Sequence, residues 1–184
     1  MPHTIVIFGA SGDLTSRKLV PALYQLFRKK RLPPDTRIVG SARTSFSHDE
    51  FRAKQGESTA EFTKADFDAK IWAEFAKNLF YHAGDLASAQ DMAGLAAVLD
   101  ELEAGHATTR IYYLATAPRF YEPAVVNLGS TGMADESHGT RRIVIEKPFG
   151  TDLKSAQELN AAVHQVFSER QVYRIDHYLG KETV

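Results

Sequence analysis

Between Asp176 and Lys181 the sequence sets a carboxylate, an imidazole (His177), a phenol (Tyr178) and an ammonium within six residues, inside the run Arg174-Ile175-Asp176-His177-Tyr178-Leu179-Gly180-Lys181-Glu182. Cationic and neutral donors of this kind suit the dianion of a sugar phosphate, and a carboxylate beside a histidine can orient its ring nitrogen. A histidine next to a tyrosine is by itself more often structural; the crowding of four such groups is what points to chemistry. Lys147, in Ile145-Glu146-Lys147-Pro148-Phe149-Gly150, is a second candidate. Held ahead of a proline and a glycine, it is a positioned cation able to reach a sugar hydroxyl or a phosphate, with Glu146 as its partner or as a surface charge.

A third candidate is a turn of backbone. Gly9-Ala10-Ser11-Gly12-Asp13-Leu14 follows a short apolar run and precedes a helical pattern. Glycines there let the chain turn tightly and let a phosphate approach the amides, while the positive end of the helix favours a pyrophosphate. Only two glycines of a G-x-G-x-x-G fingerprint are present, and Thr15 stands near the place of the third. Taken alone such a turn is equally compatible with a purely structural role, and Ser11 with a helix cap; its place as the first strand-to-helix turn favours the nucleotide reading. The next strand ends Gly40-Ser41-Ala42-Arg43 with no acid. An Asp or Glu at that position suits the ribose 2′-hydroxyl of NAD, and an arginine suits a 2′-phosphate. One charge-assisted hydrogen bond of roughly 1.5–3 kcal/mol corresponds to a preference for NADP of about 10- to 100-fold. The bland alternative is a solvated loop arginine.

These residues need a scaffold that gathers them, and the hydrophobic pattern supplies one. Apolar runs at Thr4 to Phe8, Arg37 to Gly40, Leu79 to His82, Ile111 to Ala115, Arg142 to Ile145 and Val172 to Ile175 read as strands. Between them lie segments of helical period: Leu19, Ala22, Leu23, Leu26 and Phe27; Phe67, Ile71, Phe75 and Leu79; Met92, Leu95, Leu99 and Leu102; Tyr121 to Leu128; and Ala156, Leu159, Val163 and Val166. Strands alternating with helices predict an α/β fold, a Rossmann-like doubly wound parallel sheet with helices on both faces. Pro21 is tolerable if the first helix begins near Arg17. Ser47 with Glu50 signals a capping box for a short helix, and Thr151 followed by Asp152 a helix start. Gly129 to Thr140 reads as a flexible loop. With no repeat or linker, residues 1–184 read as one dinucleotide-binding domain.

Composition excludes several alternatives. Twenty-two basic against 23 acidic residues give a net charge of −1, which argues against a nucleic-acid or membrane-surface partner. No cysteine is present, so disulfide and thiolate chemistry are excluded and a reducing compartment is the natural reading. No apolar run approaches the ~20 residues of a membrane span, and the start lacks a signal-peptide pattern; a soluble, cytoplasmic protein is expected.

Three blocks together, Gly9 to Leu14 with Arg17-Lys18-Leu19 and Pro21-Ala22-Leu23, the Glu-Lys-Pro-Phe-Gly turn, and Arg-Ile-Asp-His-Tyr-Leu-Gly-Lys-Glu, resemble the signature blocks of glucose-6-phosphate dehydrogenases, in order and over essentially the whole chain. The last block is the most diagnostic and the glycine turn the least. The resemblance implies NADP-linked oxidation of glucose 6-phosphate to 6-phosphogluconolactone, the entry to the pentose phosphate pathway. It implies that Gly9, Ala10, Ser11, Gly12, Asp13, Leu14, Arg43, Tyr113 and Lys147 contact the cofactor. Lys147, His177, Tyr178 and Lys181 would hold the substrate, and Asp176 would orient. The family's general base is a histidine in a downstream β+α domain that also supplies oligomer contacts. None of the seven histidines here matches it, so the chain alone is expected to turn over little or no substrate, and the β+α domain to be absent from it. Two other readings stay open: a stand-alone NADP-binding sensor or partner-binding module, and another sugar oxidoreductase of the kind that also uses a Glu-Lys-Pro turn.

Overall fold

Six strands, all parallel, form one sheet in the order β3-β2-β1-β4-β5-β6. The computed structural model describes residues 1–150 and 152–176. The strands are β1 (His3–Phe8), β2 (Thr36–Ala42), β3 (Leu79–Ala83), β4 (Thr109–Leu114), β5 (Arg141–Glu146) and β6 (Val172–Ile175). The helices are α1 (Val20–Arg28), α2 (His48–Thr63), α3 (Ala69–Ala76), α4 (Ala89–Glu103), α5 (Tyr121–Ser130) and α6 (Leu153–Val166). This is the doubly wound order, in which the chain reverses direction across the sheet between β1 and β4.

Alternation along the strands builds the two layers. Val6, Phe8, Tyr112, Leu114, Ile143 and Ile145 point into a core closed by Leu95 and Leu99 of α4, Val125 and Leu128 of α5, and Leu159 and Val163 of α6. Ile7 and Ile38 point the other way, against Val20 and Tyr24 of α1 and Phe75 of α3. Tyr24, Phe67, Trp72 and Phe75 meet there with ring centroids 5.4–6.1 Å apart.

Local details depart from the pattern in instructive ways. The first helix starts before Arg17: a π-helical turn, Thr15–Leu19, runs straight into α1, and Val20 N–H bonds the Thr15 carbonyl. The wider turn accommodates the ring and missing amide of Pro21 without delaying the helix. The capping box of Ser47 and Glu50 forms, but on a helix of 16 residues rather than a short one. Phe67 stands outside α3 because the Asp68 carboxylate accepts the Lys70 and Ile71 amides and starts the helix after it. Leu79, the fourth member of that spacing, opens β3 instead. The cap of α6 falls on Asp152, which accepts from Ser155 N–H at 2.8 Å; Thr151 lies outside the described residues.

The stretch read as a flexible loop is tied down. Residues 129–130 belong to α5, Met133 is buried, and its carbonyl accepts the Tyr112 hydroxyl at 2.7 Å. Glu136 accepts from Arg141 N–H, Arg142 and Arg170. Among the described residues no helix is long and apolar enough to cross a membrane.

Candidate functional site

Parallel strands bring all their carboxyl ends to one edge, and a crevice opens where the winding reverses. Its volume is about 590 Å³. Gly9, Ser11 and Gly12 line it after β1, Ser41 to Thr44 at the end of β2, Gly84 to Leu86 after β3, and Ala115, Thr116 and Phe120 after β4.

Gly9 is fixed by geometry. Its φ is +85°, and a Cβ there would stand 2.2 Å from the Ala115 carbonyl oxygen, so no side chain fits between the ends of β1 and β4. The turn's amides then divide into two sets. Those of Gly9 and Ala10 both donate to the Ser41 carbonyl, at 2.9 and 3.2 Å, and Gly12 N–H donates back to the Gly9 carbonyl at 3.0 Å. Among the described residues, the amides of Ser11, Asp13 and Leu14 bond no other backbone group, as expected for the first turn of a helix. Of the turn expected to contact the cofactor, these are the amides that the fold leaves without a backbone partner among the described residues. Ala10 is structural, buried against Gly40 and Phe51. Thr15, in the third glycine's place, is buried and donates its hydroxyl to the Gly9 carbonyl at 3.3 Å.

Arg43 lines the crevice just beyond β2, its guanidinium carbon 5.8 Å from the centre of the Phe120 ring. Arg119 approaches the same ring at 4.9 Å. Neither arginine has an ion pair among the described residues, in contrast to Arg28, Arg110, Arg142 and Arg174. The crevice also holds a carboxylate that sequence reasoning missed: Asp85, which accepts from Ala87 N–H at 2.9 Å. Phe120 was missed as well. The signal was there to use, because β4 neighbours β1 at the reversal and the residues just after it must face the glycine turn.

Two other predicted residues meet at the ends of the neighbouring strands β5 and β6. Lys147 follows β5 and Asp176 follows β6, and the parallel register brings Lys147 Nζ to 2.9 Å from Asp176 Oδ2. Lys147 N–H also bonds the Ile175 carbonyl at 3.1 Å. Lys147 remains 60% exposed and so can still offer its ammonium to a ligand. Tyr113, on β4, does not line the crevice; its hydroxyl donates to Glu146, which is buried at the end of β5. Burial, then the Glu146 hydrogen bond and charge, push the Tyr113 phenol well above its ordinary range. Burial pushes Tyr121 up to about 12, with Glu146 adding to it. Tyr113 is thereby held as a neutral donor. His177, Tyr178 and Lys181 lie outside the described residues.

Residues 6–184 match the family described as "Glucose-6-phosphate dehydrogenase, NAD binding domain". The chain is 43% identical over 182 residues to glucose-6-phosphate 1-dehydrogenase of Aggregatibacter actinomycetemcomitans, covering 98% of this chain and 36% of that protein. To the Chlamydia pneumoniae enzyme of the same name it is 39% identical over 189 residues, covering 100% and 37%. A solved structure of a glucose-6-phosphate dehydrogenase in complex with its substrate glucose-6-phosphate superposes with a TM-score of 0.87 at 38% identity, over 98% of this chain and 37% of that one. The chain thus spans a little over a third of the length of these relatives. The parallel order, the glycine turn at the reversal and these matches agree, and the chain belongs to the glucose-6-phosphate dehydrogenase family as its NAD-binding domain.

Proposed function

We propose that residues 1–184 form one dinucleotide-binding domain that holds NADP across the reversal between β1 and β4, for the oxidation of glucose 6-phosphate to 6-phosphogluconolactone at the start of the pentose phosphate pathway. The observation that carries this is the crevice itself: three first-turn amides unclaimed by the fold, beside an arginine with no carboxylate on it. Both fit the groups of NADP, the amides its pyrophosphate and Arg43 its 2′-phosphate. Bound NADP supplies the hydride acceptor. Ser11, Asp13 and Leu14 would fix the phosphates through their amides, and Arg43 the adenosine end. Lys147 and Asp176, three and four strands from β2, lie on the side where the sugar belongs, at roughly 14 and 19 Å by strand spacing. Lys147 would donate to substrate and cofactor, and Asp176, His177, Tyr178 and Lys181 would complete the sugar-phosphate site.

Hydride loss from C1 of the sugar requires a base to take the hydroxyl proton within hydrogen-bond reach. Of the described histidines, His48, His82, His106 and His164 are engaged elsewhere, with the Tyr81 amide, the Asp91 carbonyl, the Glu103 carbonyl and the Glu169 carboxylate. His138 lines a separate cavity at the opposite end of β4 and β5, and His3 opens β1 at that same amino edge. Turnover is therefore proposed for the whole protein and cofactor binding for this chain. The absence of cysteine supports a cytoplasmic setting.

Calorimetric titration with NADP and with NAD tests the reading. NADP is expected to bind 10- to 100-fold more tightly, and Arg43→Ala to remove most of that difference. Equal affinities in the unaltered chain would sink it.

A further inference from the structure

Phe120 stands apart from every residue that the glycine turn and the Lys147 turn explain. It lines the crevice, its side chain offers no hydrogen bond, and two guanidinium groups lean on its ring: Arg43 from beyond β2 and its own chain neighbour Arg119. Both distances lie within the ~6 Å over which an aromatic ring attracts a cation. Neither arginine pairs with a carboxylate among the described residues. Two cations on one ring repel each other, and a carboxylate between them would be the ordinary remedy. Left without one, Arg43 in the crevice wall is complementary to an incoming dianion, and the Arg119 charge adds to the local positive field.

We propose that Phe120 is a specificity-determining positioning residue: its ring holds Arg43 in the crevice wall for the 2′-phosphate of the adenosine ribose. This rests on the NADP reading above. An arginine side chain free in solvent loses rotamer entropy when it closes on a phosphate; one already resting on an aromatic face has lost part of it beforehand. Phe120 is well placed to do this because the 3₁₀ turn Pro118–Phe120 brings it directly from the end of β4 to the start of α5. The turn thereby sets the ring across the reversal from β2. The ring acts through Arg43 and not on the nucleotide, so its removal should be felt by NADP and not by NAD.

Calorimetric titration of the 184-residue chain with NADP and NAD, in Phe120→Leu, Phe120→Tyr, Arg43→Ala and the Phe120→Leu/Arg43→Ala double variant, decides it. Phe120→Leu should weaken NADP about 2- to 5-fold and leave NAD unchanged, consistent with ~0.5–1 kcal/mol per exposed cation–ring contact. Phe120→Tyr, which keeps the ring, should retain the unaltered chain's preference. In the Arg43→Ala background, Phe120→Leu should weaken NADP no further. Equal loss for both cofactors from Phe120→Leu would mean that the ring packs on the nucleotide itself and would overturn the proposal. So would an undiminished NADP preference, or a full Phe120→Leu effect without Arg43. If the unaltered chain shows no preference for NADP, the cofactor reading falls and this inference falls with it.

Discussion

Arginines at the two edges of the sheet live under opposite rules. At the amino edge, Arg110 on β4 is 5% exposed and closed on α4: Nε donates to Glu103 at 2.9 Å and Nη2 to Glu103 and Asp100 at 2.8 and 2.6 Å. Although burial opposes its charge, the Glu103 and Asp100 carboxylates lift the guanidinium above its ordinary range. At the carboxyl edge, the exposed Arg43 has a ring and, among the described residues, no carboxylate. Arg110 inside the fold is closed on two carboxylates, since an uncompensated buried charge is costly, and the equally buried Arg141 beside it is met by the Thr108 and Thr140 carbonyls; the fold supplies Arg43 with no such acceptor among the described residues. The same contrast separates backbone groups in the glycine turn, where the amides of Gly9 and Ala10 serve the sheet and those of Ser11, Asp13 and Leu14 do not.

That difference can be broken at several points. The largest effect is expected at the amino edge: Glu103→Ala leaves Arg110 buried with only Asp100, and should lower unfolding free energy by about 3–5 kcal/mol. Arg43→Ala, removing the same charge type it would expose, should stay within about ±0.5 kcal/mol. Urea unfolding of the two variants side by side makes the comparison, and equal losses would show that both arginines are structural. Next comes Gly9→Ala, which puts a methyl group against the Ala115 carbonyl at positive φ. It should destabilise by about 1–3 kcal/mol from the backbone conformation alone and abolish NADP binding by prising β1 from β4. A variant that still binds NADP in calorimetry would show that the close approach is dispensable.

The smallest effect sharpens the picture of exposed pairs. The Arg174 guanidinium, and then His164, hold the Glu169 carboxyl down at about 2 against an ordinary value of 4.5. A carboxyl held lower when folded than when unfolded stabilises the fold above the unfolded value, and that contribution fades as pH falls from about 4.5 toward 2. The unaltered chain should therefore exceed Glu169→Gln in denaturant midpoint at pH 5, with the gap closing by pH 2. A gap that stays constant across this window would mean that the network does not depend on the carboxylate charge.

Much of this protein is written in near-neighbour sequence. The alternation of periods gave the six strands and five of the six helical segments, and Ser47 with Glu50 gave the start of α2. The glycine turn and Arg43 could be placed at strand ends because each depends on a few adjacent residues and on the direction of the strand before it. Boundaries slipped where a neighbour intervened: Asp68 cut Phe67 out of its helix, and the π-helical turn carried the first helix past Pro21. The helix read as short after Ser47 proved long because Phe51, Gln55 and Thr59 bury one face of it, a tertiary fact invisible in a mostly polar segment.

What the chain alone determined is therefore the fold class, the order of its elements and the places of the candidate residues along them. Only the tertiary structure decided which of those residues meet. The order of strands in the sheet put Asp176 on Lys147, Tyr113 on Glu146 and Phe120 under Arg43, pairs separated by 29, 33 and 77 positions in the numbering. No local propensity encodes such meetings, because they follow from how each crossover helix packs on one face of the sheet or the other. The same packing chose which amides and which arginines the fold would consume, and which it would leave for a ligand.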